Sequence, residues 1–212
     1  MSAPPSIEAI NGAANAVHLD VLGMLHDGND TLILLGPRAP GFWSYATASA
    51  EFKDSAPDPL DRLSHRIIGT LAKDLDATAI FPSDGPPYPA FISWALASGQ
   101  AWISPVGMLV HAEAGLFVSF RGALRIKGHI ALPPAAANPC IQCAAPCRAA
   151  CPVDALTRDH YDVDACKAHI RSADSAQCAG AGCAARRICP ISQNYPRLPE
   201  QSAFHMRAFL GE

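Results

Sequence analysis

The sequence predicts an α+β protein with two domains, the second of them rich in cysteine. Two observations predict this division. Helical and strand patterns alternate along the first part of the chain, up to a proline-rich connector at residues 133–139. All eight cysteines follow that connector, since none occurs before residue 140. We therefore predict a first domain at residues 1–133 and a second at residues 134–212.

The first domain is predicted to begin with a helix and a strand. Apolar residues recur at helical spacing over residues 6–25, and a short apolar run at residues 31–36 predicts a buried strand. Residues 42–52 predict a helical or irregular segment. Asp58, which precedes a proline, predicts the start of a helix over residues 60–75, where leucine or isoleucine recurs every fourth residue.

The rest of the first domain is predicted to contain mostly strands. Residues 78–81 predict a strand, and residues 82–89 predict a loop because they include four prolines. Residues 90–98 predict a helix. Further strands are predicted at residues 103–110, 116–124 and 126–132, with a turn at 111–115 between the first two.

Two helices are predicted in the second domain. Residues 162–171 predict a short helix that Asp162 or Asp164 caps and that presents Cys166. Residues 201–210 predict the last helix of the chain.

Four of the cysteines lie within twelve residues, from Cys140 to Cys151. The run reads Cys-x2-Cys-x3-Cys-x3-Cys-Pro and is close to the ferredoxin-type run that holds an iron–sulfur cluster. The common form has one residue fewer between its second and third cysteines. The fourth cysteine of such a run ligates the other of two clusters, so four further cysteines are required. The sequence has them, and the last one, Cys189, is again followed by a proline.

Eight cysteines are the number that two [4Fe-4S] clusters need. We assign the first cluster to Cys140, Cys143, Cys147 and Cys189. We assign the second cluster to Cys151, Cys166, Cys178 and Cys183. In this assignment Cys151 and Cys189 cross over, each serving the cluster of the other cysteine motif. The order of the last three ligands around the second cluster stays open.

Disulfides and zinc are the alternative interpretations of the cysteines. A disulfide framework belongs to secreted chains, and residues 1–17 have neither the basic start nor the apolar run of a signal peptide. Zinc takes cysteines in paired short spacings, whereas the Cys-Pro endings and the run of four favour iron–sulfur clusters. Free thiols in this number predict a reducing compartment, and therefore the cytoplasm.

Composition argues against two classes of partner. The net charge is −3, the pI is about 6.2 and no basic block occurs, so we expect no nucleic acid. No stretch approaches the roughly eighteen apolar residues of a membrane span. From Cys140 onward, the chain contains eight Lys and Arg and seven Asp and Glu. Freely diffusing ferredoxins commonly carry acidic faces, so this balance favours clusters that serve their own chain.

A hairpin pattern in the first domain carries a resemblance to a known family. The pattern His111-x3-Gly115-x5-Arg121-Gly122 follows a helix, a Gly-Pro loop and an aromatic-bearing helix. It resembles the flavin-reductase-like domain of the cobalamin-processing decyanases of vitamin B12 metabolism. The cysteine-rich half resembles epoxyqueuosine reductases and corrinoid-dependent reductive dehalogenases, including the helix that carries Cys166. The resemblance implies a nitroreductase-like α/β sandwich followed by a two-[4Fe-4S] ferredoxin-like module, with cobalamin as a further cofactor.

Four other residues are candidates for site roles, each with a structural alternative. Asp84 lies in a proline-rich loop where a catalytic acid would sit, although Asp-Gly also forms turns. His111 and Arg121 are candidates to contact a corrinoid or a phosphate, or to support the hairpin. Trp102 is a candidate wall of a cofactor pocket, or a core residue.

Three functions are compatible with these features. The first is a reductase in which two clusters relay single electrons from a soluble donor of the ferredoxin or flavodoxin type to cobalamin on the first domain. The second is a ferredoxin-type electron carrier that needs no cofactor pocket. The third is a non-enzymatic cobalamin chaperone. Whether the chain is an oxidoreductase therefore stays open.

Overall fold

The computed structural model describes residues 4–211, which fold into two compact units. Unit 1 comprises the described residues up to Gln100 together with Ser119–Ala136. Unit 2 comprises Ala101–Val118 and the described residues from Ala137 onward. Both units contain helices and antiparallel strands, so the predicted α+β class is confirmed.

Helices and strands are distributed along the described residues as follows. The strands are β1 (Leu19–Asp27), β2 (Asp30–Pro37), β3 (Thr78–Ile80), β4 (Ala101–Ile103), β5 (Leu109–His111) and β6 (Gly122–Lys127). The helices of unit 1 are α1 (Ile7–Ala16), α2 (Gly41–Ala48), α3 (Ala50–Lys53), α4 (Pro59–Asp74) and α5 (Phe91–Ala97). The helices of unit 2 are α6 (Val163–Arg171), α7 (Ala176–Ala181), α8 (Ala184–Ile188), α9 (Pro190–Asn194) and α10 (Pro199–Leu210). Two 3-10 turns, Pro146–Ala149 and Ala173–Ser175, also belong to unit 2.

The units differ from the predicted domains in two segments, of which the shorter is residues 134–136, predicted in the second domain but part of unit 1. The prediction places residues 101–118 in the first domain, whereas this segment belongs to the cysteine-rich unit. The physical reason is apolar packing. Val106, Val110 and Leu116 share a buried cluster with Cys147 and Cys189. The segment therefore forms part of the core that surrounds the thiols.

Unit 1 is built on a four-stranded antiparallel sheet with the order β1-β2-β6-β3. The strand predicted at residues 31–36 corresponds to β2, which has a neighbour on each side. Its four central residues, Leu32 to Leu35, are fully buried. A two-residue loop that begins at Gly28, with φ +62°, joins β1 to β2, and glycine is favoured at that backbone conformation.

The helix predicted over residues 6–25 is wrong in its second half. Helix α1 ends at Ala16, and the chain continues as strand β1. His18, with φ +57°, lies at the junction between them. The apolar residues beyond it fit a helix in isolation, but pairing with β2 from Leu19 to Asp27 buries them in the sheet. Pairing with the next strand thus overrides the helical spacing of the apolar residues.

The strands predicted at 103–110, 116–124 and 126–132 are also wrong in extent. Strand β4 pairs with β5, and the chain after them forms no strand until β6. Strand β6 ends at Lys127 and pairs with β2 and β3 instead of with a hairpin partner. The turn at 111–115 is confirmed, because His111 and Gly115 exchange two backbone hydrogen bonds of 3.0 Å.

The remaining predicted helices are found close to their predicted bounds. Helix α4 buries Leu63, Ile67 and Leu71 along the predicted face. Asp58 precedes it but has a left-handed backbone and makes no side-chain capping bond. Helix α6 is capped as predicted, because the Asp162 side chain accepts a hydrogen bond of 2.9 Å from the backbone of Ala165. No helix within residues 4–211 combines the length and apolar character that crossing a bilayer requires.

Candidate metal centre

The loop that carries the first four cysteines is shaped by local hydrogen bonds. The Asn138 side chain accepts a bond of 2.9 Å from the backbone N–H of Cys140. Ala145 has a left-handed backbone, with φ 53°, and it precedes the 3-10 turn that contains Cys147. The run has one residue more than the common form between its second and third cysteines. The left-handed backbone of Ala145 and the 3-10 turn that starts at Pro146 accommodate that residue.

The structure brings the first predicted quartet of thiols together. Its four members line one cavity in unit 2: Cys140, Cys143, Cys147 and Cys189. Burial raises the pKa of the Cys140 thiol, and the neighbouring thiols raise it further. Cys147 and Cys189 are buried, with 6% and 8% of their surface exposed. Leu116 and Val110, from the segment that the prediction placed in the first domain, line the same cavity.

The second predicted quartet is also gathered in unit 2. Burial raises the pKa of the Cys166 thiol, and nearby thiols add to this effect: those of Cys183, Cys151 and Cys178. Cys166 lies on α6 and Cys178 on α7, while Cys183 directly precedes α8. Cys151 and Cys189 thus cross over between the two cysteine motifs.

The donor chemistry of each quartet fits an iron–sulfur cluster. All eight cysteines are free thiols, so no disulfide framework is formed. Among residues 4–211 no three His, Cys, Asp or Glu side chains converge as ligands of a single metal ion. A single zinc ion requires donors that meet at one point, whereas the thiolates of a [4Fe-4S] cluster each bind a different iron and surround a cavity. That the quartets hold clusters remains a prediction.

One backbone N–H group donates to a sulfur in each quartet. Ala145 donates to Cys143 Sγ over 3.4 Å, and Ala155 donates to Cys151 Sγ over 3.3 Å. Hydrogen bonds to ligand sulfurs stabilise the extra negative charge of a reduced cluster and so raise its potential. Each quartet therefore has a backbone donor in place that can set a cluster potential.

Tyr161 is a functional candidate that sequence reasoning missed. The residue is 43% exposed. Burial raises the pKa of Tyr161 well above its usual value, and hydrogen bonding with the Cys166 thiol raises it further. Its only sequence signal is its place immediately before the capping residue Asp162, and that place does not reveal the contact with sulfur.

Replacing Tyr161 by phenylalanine is expected to lower the potential of the cluster held by the second quartet. The loss of one hydrogen bond to a ligand sulfur, about 0.5–1.5 kcal/mol, corresponds to roughly 20–60 mV for one electron. An EPR-monitored redox titration measures this shift. Tyr88→Phe, in the exposed loop of unit 1, is the control and should leave both potentials unchanged. Identical potentials in Tyr161→Phe and the parent protein would contradict the assigned role.

Asp84 and His111 both have structural roles in turns. Asp84 is exposed, and its carboxylate accepts a bond of 2.8 Å from the backbone of Phe81. His111 is 3% exposed, and its Nδ1 accepts bonds of 3.1 and 3.2 Å from the backbone of Glu113 and Ala114. These bonds support the structural alternative for each residue, and a catalytic or cofactor role for either remains a prediction.

Trp102 and Arg121 occupy different units. Trp102 is partly buried and packs against the apolar cluster around Cys147 and Cys189 in unit 2. In unit 1, Arg121 Nη1 lies 3.3 Å from Asp61 Oδ1, and its guanidinium lines a cavity of about 270 Å³. Burial lowers the pKa of this guanidinium.

The chain is thus a mixed α+β protein with two thiol quartets in one unit. Compared with models of protein families, with curated proteins and with solved structures, it matches none. The resemblance to epoxyqueuosine reductases, reductive dehalogenases and cobalamin-processing decyanases therefore rests on the sequence patterns alone.

Proposed function

We propose that the chain is an iron–sulfur electron-transfer protein that holds two [4Fe-4S] clusters in a ferredoxin-like module. The observation that carries this proposal is the gathering of eight free thiols as two quartets, with Cys151 and Cys189 exchanged between the motifs. Such an exchange is the ligand pattern of two-cluster ferredoxin modules. When bound, the clusters would accept and release one electron each.

Two short chain segments connect the quartets. Cys147 and Cys151 belong to different quartets but lie one turn apart, and Cys183 and Cys189 stand at the two ends of α8. Clusters held by these residues would be linked by short segments of the chain. Such a link suits the transfer of single electrons between the clusters. The buried thiols Cys147 and Cys189 also keep water away from the first cluster site.

We further propose a corrinoid, or a substrate, on a nitroreductase-like unit 1 as the acceptor of these electrons. This part is supported by the sequence resemblance and by the polar cavity that contains Arg121. In this function the chain is a cobalamin- and iron–sulfur-dependent oxidoreductase supplied by a soluble donor of the ferredoxin or flavodoxin type. Its residues would bind and orient the acceptor, while the corrinoid would supply the chemistry.

A stand-alone ferredoxin-type carrier is the second candidate, and one observation favours it. The cavity at Arg121 has a volume of about 270 Å³. Pockets for drug-sized ligands have roughly 300–1,000 Å³, and a corrinoid is larger than such ligands. The cavity by itself therefore accommodates at most a side group of a corrinoid. An electron carrier would need no corrinoid at all.

The test is an anaerobic reductive titration of the iron-reconstituted protein, followed by addition of hydroxocobalamin. Two clusters should take up about two electrons per chain, one each. A corrinoid-using reductase should then bind hydroxocobalamin and pass it electrons, as seen in its absorbance. Uptake of two electrons without corrinoid binding would establish the carrier, and corrinoid binding without transfer would indicate the chaperone. No electron uptake would refute electron transfer itself.

A further inference from the structure

A shallow depression on unit 2 is lined by chain neighbours of cysteines from both thiol quartets. It lies between the 3-10 turn Pro146–Ala149 and helix α8, and we call it the α8 face. Its lining includes the small apolar side chains of Ala149, Ala150 and Ala184, together with Ile188. The same two elements supply Cys147 and lead into Cys189 of the first quartet, and Ala150 and Ala184 adjoin Cys151 and Cys183 of the second quartet in the chain.

The α8 face carries an exposed apolar side chain of a kind that proteins normally bury. Ile188 lines the depression next to Cys189 in the chain and is 40% exposed. A small apolar centre of this kind is typical of the core of an interface with a transient partner.

The two chain segments that form the α8 face carry only positively charged residues. These segments, residues 137–153 and 183–193, contain three arginines and no Asp or Glu. Arg148 is exposed and Arg187 lines the depression, whereas Arg186 turns inward and donates to the backbone of Leu116. By contrast, residues 154–175, which supply Cys166, contain five Asp and three Lys or Arg. The basic character is therefore local to these two segments, which carry the first quartet and also Cys151 and Cys183 of the second.

We propose that the α8 face is the docking site of an acidic ferredoxin, which delivers electrons to the clusters of the chain. This inference rests on the proposed function. One electron would pass from the reduced ferredoxin, which becomes oxidised, to a cluster held next to the α8 face, which becomes reduced, and no bond forms or breaks. Arg148 and Arg187 steer the acidic partner, and the apolar centre excludes water at contact. Small electron-transfer interfaces work in this way, with low affinity and fast exchange.

The test compares two double charge reversals in the reconstituted full chain. Arg148→Glu/Arg187→Glu changes the α8 face, and Arg158→Glu/Arg207→Glu makes the same change in net charge at exposed positions elsewhere in unit 2. The probe is an acidic plant-type [2Fe-2S] ferredoxin at low ionic strength. Calorimetry measures its binding in the oxidised form, and stopped-flow absorbance measures cluster reduction by its reduced form.

We expect the α8-face variant to bind about tenfold more weakly and to be reduced about tenfold more slowly, with less than a twofold effect in the control. Arg148→Glu combined with Ile188→Ser, which changes a lining residue, is a second variant that leaves Arg187 and its bond to Gly182 intact, and it should change binding in the same direction. Equal effects in the variant and the control, or no binding by the parent protein, would overturn the docking site. A protein without iron would instead overturn the proposed function, so the two failures are distinguishable.

Discussion

Replacing Cys140 and Cys189 together by alanine is expected to remove one cluster and leave about four of eight iron atoms. The reason is that both thiols belong to the first quartet, although they stand at opposite ends of the cysteine-rich segment. The matched variant replaces Cys140 and Cys151, which are close in sequence but belong to different quartets. It should damage both clusters and retain less iron than the first variant.

The two variants separate crossed from consecutive ligand sets. If each motif held its own cluster in chain order, Cys140 and Cys151 would share a cluster, and the iron contents of the two variants would be exchanged. Iron analysis after anaerobic reconstitution, with EPR of the reduced proteins, measures the difference. Equal iron in both variants would also contradict the crossed arrangement. Because each variant lacks two cysteines, a general loss of thiols does not explain a difference between them.

Replacing Gly115 by alanine is expected to lower the free energy of unfolding by about 2–5 kcal/mol. Its φ of +56° costs a side chain about 1–2 kcal/mol, and overpacking adds about 1–3 kcal/mol. The overpacking arises because a Cβ would lie 2.5 Å from the backbone nitrogen of Ser192. Ser192 Oγ also accepts a bond of 2.8 Å from the backbone of Leu116, which lines the first quartet's cavity. Loosening this contact should therefore speed the loss of iron from that quartet.

Gly211→Ala is the control for this prediction. Gly211 belongs to the same unit and has a φ of +85°, but a Cβ there would meet nothing within 4 Å. The Gly211→Ala substitution should therefore lower the free energy of unfolding only by the backbone contribution, about 1–2 kcal/mol. Urea denaturation of the reconstituted proteins, followed by circular dichroism and by cluster absorbance, measures both effects. Equal destabilisation in the two variants would show that contact with Ser192 contributes nothing.

The grouping of the thiols was predictable because ligands close in sequence are restricted to a few arrangements. Cys140 and Cys143 must turn to the same side of a short loop, and the Cys-Pro at Cys151 requires a partner motif. Helices α4 and α6 were predictable for a similar reason, since their periodicity and the Asp162 cap are local signals. Local constraints of this kind need no knowledge of the rest of the fold.

Features that depend on pairing or packing partners were not predictable. Residues after His18 have an apolar spacing that also fits a helix, but they form β1, which pairs with the next strand, β2. Val110 and Leu116 are apolar whichever core they enter, so nothing in their sequence shows that they pack beside Cys147 in unit 2. The hydrogen bond of Tyr161 to Cys166 likewise depends on how the chain turns before α6. In each case the deciding partner is chosen by tertiary packing rather than by local propensity.

The most direct test of the two quartets as cluster ligands is a count of iron, acid-labile sulfide and zinc in the protein purified without oxygen. Two [4Fe-4S] clusters predict about eight iron atoms and about eight sulfides per chain, with negligible zinc. Two tightly bound zinc ions without sulfide would contradict the account, and so would a count near four of each.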